Sequence, residues 1–281
     1  MISVIIPAYN EEKVIAATLK ELIPGAESGE LEVIVVCNGC SDKTADVVAS
    51  FGTAIRCIET PEPSKTNALN LGDEVASGFP RIYLDADVVL TLEAIRQIAQ
   101  VLQSGRFLAA APKMYMDTRH ASWLVRCYYE VWQQLPYIRE GLIGVGVYAL
   151  SQDGRKRFDT FPQIIADDGY IRALFQTHER TSVDSCRSLV RAPATLEGLL
   201  KIKTRSRLGH YELKKKFPEL LKNEKKQYGL AMFESLKQVC LWPKLLVYLY
   251  VNFHARCRAN KYARTQKFSG WERDDSSRDL F

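Results

Sequence analysis

The 281-residue sequence lacks several features that would place it in a class at sight. It has no unbroken apolar run of the about 20 residues that a membrane-spanning helix needs. The longest apolar segment, residues 239–253, is interrupted by Pro243 and Lys244. Met1 leads directly into an apolar strand, without a basic leader or a small-residue cleavage site, so no signal peptide is expected and the chain is expected to be cytoplasmic. Its seven cysteines are odd in number and irregular in spacing, which excludes a disulfide framework. Cys37-Asn-Gly-Cys40 is a single CxxC without a second ligand pair, and it reads as reduced thiols in a turn rather than a zinc or redox centre. No Gly-x-Gly-x-x-Gly follows a strand pattern, which argues against a dinucleotide-dependent dehydrogenase. Internal repeats and low-complexity tracts are also missing.

Net charge is a mild +5, but it is unevenly spread. Residues 201–281 carry 19 Lys and Arg against 8 Asp and Glu, so the last quarter is +11 and the rest is −6. An acidic body with a basic tail suggests that the tail faces something anionic. The segment 239–253 contains Trp and Tyr and is followed by Arg256, Arg258, Lys261 and Arg264, which suits a helix lying at a headgroup surface as well as it suits a buried helix.

Along the first hundred residues, short β-branched runs alternate with helical periodicity. Ser3–Pro7, Leu31–Val36, Ile55–Ile58 and Arg81–Leu84 read as buried strands. Between and after them, helices are expected from Asn10, as N-cap, to Pro24-Gly25, then over Thr44–Phe51, Lys65–Ala76 and Leu92–Gln103. Phe107–Ala111 reads as a further strand, Trp123–Leu135 as an aromatic-rich helix, and the region from Tyr211 onward as helical. This alternation predicts an α/β fold with a mostly parallel central sheet, helices on both faces and a C-terminal helical extension. Ligands of such sheets bind beyond the carboxyl ends of the strands. There the sequence places Pro7-Ala-Tyr-Asn10, Asn38-Gly-Cys-Ser-Asp42 and Asp85-Ala-Asp87.

Asp85-Ala-Asp87 directs two carboxylates to the same side, where a hard cation such as Mg²⁺ or Mn²⁺ shared with phosphate oxygens would relieve their repulsion. A solvated turn would use the same residues. Lys65 opens a helix whose polar first turn suits an anion or an acidic neighbour. Asp167 and Asp168 begin another helix; one can cap or pair while the other faces a cleft as a general base, or both can cap. Lys201 to Arg207 offers four cations, of which Lys203, Arg205 and Arg207 could line one side of an extended loop and grip a diphosphate; a solvated basic stretch, or a nucleic-acid patch without interleaved aromatics, would have the same charge.

In order, Val4-Ile-Ile-Pro-Ala-Tyr-Asn-Glu-Glu12, Val35-Val-Cys-Asn-Gly-Cys-Ser-Asp-Lys-Thr44, Lys65-Thr-Asn-Ala-Leu-Asn-Leu-Gly72, Tyr83-Leu-Asp-Ala-Asp87, Gly144-Val-Gly-Val-Tyr148 and Ala166-Asp-Asp168 resemble the motifs of the family 2 glycosyltransferases. The resemblance spans roughly residues 1–210 and implies a GT-A fold and an inverting transfer of a sugar from a nucleotide diphosphate donor to a hydroxyl acceptor, glycan or lipid-linked, in polysaccharide or glycoconjugate synthesis. It implies a catalytic domain over 1–210, divided into a nucleotide-binding half (1–105) and an acceptor half (106–210), followed by the basic helical region 211–281. By position, Pro7, Ala8, Tyr9, Glu11, Asn38, Lys65, Asp85, Arg205 and Arg207 would bind the donor, with Asp87 and Asp85 at an Mg²⁺ or Mn²⁺ ion. Asp168 would be the base, supported by Asp167, and Gly144 and Gly146 would admit donor sugar or acceptor.

Two departures stand out. Cys37-Asn38 replaces the acidic pair that many relatives carry before the Gly of the second motif, so an amide takes the place of an acidic contact to the base. Thr204-Arg-Ser-Arg-Leu208 has no Trp of the processive Gln-x-x-Arg-Trp motif, which favours single transfer over polymer synthesis. Partners implied are a nucleotide sugar, the acceptor and an anionic membrane touched peripherally, with no nucleic acid expected. A catalytically silent membrane-associated scaffold, or a nucleic-acid binder using the basic tail, is the alternative from a different class.

Overall fold

The computed structural model of the protein describes residues 1–135, 142, 146–223 and 242–264. Its organising element is a seven-stranded sheet of β1 (Ile2–Ala8), β2 (Leu31–Asn38), β3 (Ile55–Thr60), β4 (Arg81–Leu84), β5 (Ala109–Asp117), β6 (Val147–Leu150) and β7 (Arg180–Arg191), in the order β3-β2-β1-β4-β6-β5-β7. All pairings are parallel except those of β6, which runs against β4 and β5. The carboxyl ends of the other six strands, and the entry to β6, therefore share one edge.

β1 is buried over all seven residues, which explains why its sequence is continuously apolar rather than alternating. Around the sheet lie α1 (Ile15–Glu27), α2 (Thr44–Ala49), α3 (Lys65–Val75), α4 (Leu92–Gln103), α5 (Trp123–Trp132), α6 (Gln152–Arg155), α7 (Asp167–Leu174), α8 (Leu196–Lys216) and α9 (Trp242–Arg264). Strand β4 and helix α4 fall where the periodicity puts them, and α3 ends one residue early. Asn10 does not cap α1: it sits at φ 52, four residues before the N-cap Val14, and the helix continues through Pro24 and Gly25 instead of ending there. The expected strand Phe107–Ala111 begins at Ala109 and runs on to Asp117.

The largest correction concerns Arg205 and Arg207, which belong to no extended loop. They lie inside α8, where residues two apart diverge by about 200° and cannot grip one ligand from one side. Arg207 instead donates to Asn252 Oδ1 at 3.0 Å, tying α8 to α9. The line drawn at residue 210 falls within this same helix.

One hydrophobic core fills the space between the sheet and its helices; a second joins α5, α8 and α9 through Val125, Tyr128, Trp132, Leu199, Leu200 and Val251. Lys203 points into this second core, its Nζ 4.0 Å from the Trp132 ring centre, 5.2 Å from Tyr128 and 5.3 Å from Tyr129. The ring faces attract the ammonium, while burial pushes it down to about 7. The unfolded chain holds that proton to a pH of about 10.4, so the destabilisation is complete below about pH 7 and fades as pH rises toward 10. Lys203→Met is accordingly expected to raise Tm most near about pH 6 and progressively less toward about pH 9, in parallel thermal scans of variant and wild type.

Candidate active site

The carboxyl edge is assembled from loops that bind one another. At the end of β1, Asn10 takes a left-handed conformation, which asparagine tolerates better than most residues. Its Oδ1 accepts from the Ser41 amide at 2.8 Å and its Nδ2 donates to Ser41 Oγ at 3.2 Å. The Glu11 amide donates to Thr44 Oγ1 at 2.7 Å, the Glu12 amide to Asp42 Oδ2 at 3.1 Å, and Asn38 Nδ2 to the Ala8 carbonyl at 2.8 Å. Pro7 and Ala8 are buried within β1, and Glu11 and Asn38 are buried as well, whereas Tyr9 is exposed. Of the residues expected to hold a donor, this edge thus offers the Tyr9 ring to solvent and uses Asn38 to fix the loop.

The thiols of the CxxC sit in the same corner. Cys37 Sγ lies 3.9 Å from Cys57 Sγ, and Cys40 Sγ donates to the Ala8 carbonyl at 3.4 Å. A hydrogen bond from Cys37 draws the Cys40 thiol down to about 6, while Cys37 itself is pushed up. All are free cysteines.

Asp85 follows β4, and Ile5 opposite Tyr83 in the ladder sets it beside the end of β1. The turn is held from two sides. Thr18 Oγ1 lies 2.9 Å from the Ala86 carbonyl and 3.1 Å from that of Val88, and the Asp85 amide donates to the Gly146 carbonyl at 2.8 Å. Gly146 has φ +66, and a Cβ built there would lie 2.3 Å from Val88 Cγ2. The backbone can pass this close to the Asp85–Asp87 turn only without a side chain. Gly144 lies outside the described residues.

Lys65 is the first residue of α3, whose N-cap Ser64 accepts from the Asn67 amide. Its Nζ is 2.8 Å from Asp85 Oδ1 and 3.0 Å from Asp167 Oδ1, so the expected anion partner of this lysine is a pair of carboxylates from the protein itself. Burial would push the ammonium down, but the charges of Asp167, Asp85 and Asp168 more than reverse this and keep it protonated.

Asp167 and Asp168 open α7, as the sequence predicts, and their environments differ. Asp167 is buried, with Oδ1 on Lys65 and Oδ2 accepting from the Tyr148 hydroxyl at 3.1 Å. Burial and the Asp167 charge push the Tyr148 phenol up, so it remains a donor. Asp168, half-buried, accepts from the Gly169 amide at 2.7 Å. The segment leading into α7 is fixed by Asn70 of α3, which donates to the Phe161 carbonyl at 3.0 Å and accepts from the Phe161 amide at 2.7 Å. It is fixed again by the close approach of α8, where a Cβ on Gly209 would lie 3.0 Å from Ala166 Cβ.

One residue that the sequence reading missed belongs here. Arg191 ends β7, opposite Asp117 of β5, and β7 is joined to the Asp85–Asp87 turn by the reciprocal backbone bonds of Val89 and Leu189. Burial lowers the Arg191 guanidinium, and the charges of Asp117 and Asp87 pull it back. It is therefore a cation within the field of Asp117 and Asp87. Its signal in the sequence was weak, because β7 itself has no clean periodicity.

Two oxygen-only carboxylates at the end of a strand, in a site where Lys65 pairs with Asp85 and Asp167 and lies in the field of Asp168, fit a hard divalent cation. No group of three or more His, Cys, Asp or Glu able to hold a metal occurs among the described residues, so Asp85 and Asp87 would supply only part of a ligand shell, with phosphate and water completing it.

With this geometry, the sequence pattern of Glycosyl transferase family 2 matches residues 3–147, which is more than half of the chain. The chain belongs to that family. It is 30% identical over 128 residues to "Glycosyltransferase AglD" of Haloferax volcanii, a match covering 43% of this chain and 20% of the relative, so the chain spans about a fifth of that protein's length. Its fold is similar to that of a mannosyltransferase from Pyrobaculum calidifontis in complex with GDP-Man and Mn²⁺, with TM-score 0.60 and 17% identity over 94% of this chain and 75% of the other. A second similar structure is glucosyl-3-phosphoglycerate synthase from Mycobacterium tuberculosis in complex with Mn²⁺ and uridine-diphosphate-glucose, with TM-score 0.54 and 19% identity over 76% of this chain and 78% of the other. The mixed, mostly parallel sheet of this family 2 chain is the GT-A fold expected from its motifs.

Gly146→Ala tests how tightly the site is built. Strain at positive φ together with the Val88 contact is expected to cost about 1–3 kcal/mol in urea unfolding, with part of the loss recovered by adding Val88→Ala.

Proposed function

We propose that this family 2 chain transfers a sugar from a nucleotide diphosphate donor to a hydroxyl acceptor with inversion, in polysaccharide or glycoconjugate synthesis. The reading is carried by the asymmetry of the pair that opens α7: Asp167 has both oxygens committed to Lys65 and Tyr148, whereas its neighbour Asp168 is only half-buried. Asp168 then takes the proton of the acceptor hydroxyl as that oxygen attacks the anomeric carbon, and the nucleotide leaves from the opposite face. A single displacement of this kind inverts the configuration. Asp167 positions the base through the rigid first turn of α7 and does not itself exchange protons with substrate.

Charge gathers on the departing diphosphate. Lys65, beside Asp85, and Arg191, in the field of Asp87, would be cations that stabilise it. Asp87 and Asp85 would hold Mg²⁺ or Mn²⁺, which when bound neutralises diphosphate charge. Support for donor and metal comes from the similar folds that carry GDP-Man or uridine-diphosphate-glucose together with Mn²⁺. Tyr9 offers a ring for the nucleoside base, and the Gly146 backbone, held close to the Asp85–Asp87 turn, would border the sugar or the acceptor. The reading includes a cytoplasmic enzyme with residues 1–210 as its catalytic domain, in peripheral contact with an anionic membrane.

Asp168→Asn is expected to lower transfer by about a hundredfold or more while leaving donor affinity within about twofold, as measured by product formation beside nucleotide calorimetry. Transfer at the wild-type rate would remove the base assignment. Asp87→Ala is expected to abolish the gain in nucleotide affinity that Mn²⁺ provides; an Mn²⁺ effect equal to that of the wild type would place the metal elsewhere.

A further inference from the structure

Helix α9 has apolar side chains on two sides. Leu245, Val251, Ala255 and Ala259 are buried against the body of the protein, where α9 packs on α5 and α8. Away from them, Trp242, Leu246, Leu249, Tyr250 and Phe253 are 54%, 68%, 43%, 49% and 64% exposed. Their spacing of four, three, one and three residues places all five on one outward stripe about three turns long. Isolated exposed apolar residues are ordinary, but a contiguous stripe of five large ones marks a surface that another body covers.

The continuation of the stripe identifies that body. Past Phe253 the outward side becomes basic, with Arg256, Lys261 and Arg264 all exposed. At 100° per residue, the five apolar and three basic positions share an arc of about 140°. The other two cations of the helix, Lys244 and Arg258, are turned toward the body, in ion pairs with Glu130 and Glu197. No Asp or Glu occurs between Trp242 and Arg264. An aromatic and aliphatic stripe, continued by cations and free of acids, is complementary to an anionic lipid bilayer, with rings at the headgroup boundary and guanidinium and ammonium groups among the phosphates. No described helix is long and apolar enough to cross a membrane, so contact would be along the helix.

We infer that the outward face of α9 is the surface by which this enzyme lies on an anionic bilayer. The inference rests on the membrane contact in the proposed function and names its surface. The Arg207–Asn252 and Arg258–Glu197 contacts show α9 running antiparallel to α8. Elsewhere along α8, Gly209 touches Ala166, the residue before Asp167. Two helices, α9 and α8, therefore stand between this surface and Asp167.

The test is flotation of the 281-residue chain with phosphatidylcholine vesicles, with and without phosphatidylglycerol. Wild type is expected to float with the anionic vesicles, and omission of phosphatidylglycerol should weaken binding about fivefold for each basic residue engaged. Leu246→Asp with Phe253→Asp should weaken it by about a hundredfold, about tenfold per side chain, while Tyr115→Asp, at an exposed aromatic outside α9, leaves it unchanged. Both positions on α9 are exposed, and unchanged nucleotide affinity would confirm that the double variant keeps its fold. Equal flotation of the double variant and wild type would overturn this surface. Failure of wild type to float would overturn membrane contact altogether, and a dimer in solution that the double variant dissolves would assign the face to a second copy. None of these outcomes depends on Asp168, so loss of the glycosyl-transfer reading would show separately, as an Asp168→Asn protein that transfers normally.

Discussion

One ammonium group holds the site together. Lys65 stands between a carboxylate after β4 and a carboxylate at the start of α7, 2.8 Å from the first and 3.0 Å from the second. Without it, Asp85 and Asp167 would repel each other across the seam between the early and late parts of the chain. The first residue of a helix is also an unfavourable place for a cation, because the backbone N–H groups there carry partial positive charge. Lys65 remains charged because the carboxylates around it outweigh both that dipole and its burial. The arrangement is a single electrostatic unit, in which removal of Lys65 leaves two carboxylates, one of them buried, without that counterpart.

A second polar cluster supports this unit from beneath. Asp73, on the same helix as Lys65, accepts from Arg81, Arg155 and the Tyr83 hydroxyl. Tyr83 stacks on Tyr148 with ring centres 5.0 Å apart, and Tyr148 donates to Asp167. A chain of contacts thus runs from a buried carboxylate through two tyrosines to Asp167, the neighbour of the proposed base. Positions in such a chain are fixed by packing as much as by hydrogen bonding, and this gives the first turn of α7 its rigidity.

The parts of this protein that could be read from sequence are those buried on both sides. β1, β2 and β4 are apolar runs because no face of them meets water, and the polar residues that follow each one identify the functional edge directly. β7 escaped notice because it lies at the sheet margin, mixes Ser, Asp and Arg with its apolar residues, and slips register against β5 between Pro112 and Lys113. Missing the strand meant missing Arg191 at its end. In α8 the density of cations hid a helix whose apolar positions, Leu199, Leu200, Leu208 and Leu213, were present all along. Asn10 looked like a helix cap because capping and left-handed turns favour the same side chain. The segment 239–253 reads from sequence as either surface-lying or buried, and over its described part α9 buries one side and exposes the other.

The reversed direction of β6 bears on how the site can change. Because β6 alone runs against its neighbours, the chain coming from α5 must enter the sheet at the edge that carries Asp85 and Asp168, and not at the opposite edge where a parallel strand would begin. Among its described residues that connection is tied to the rest of the protein: Leu142 is buried in the main core, and the Gly146 carbonyl holds the Asp85 amide. A substitution at Gly146 therefore acts on the entry to β6 and on the Asp85–Asp87 turn together.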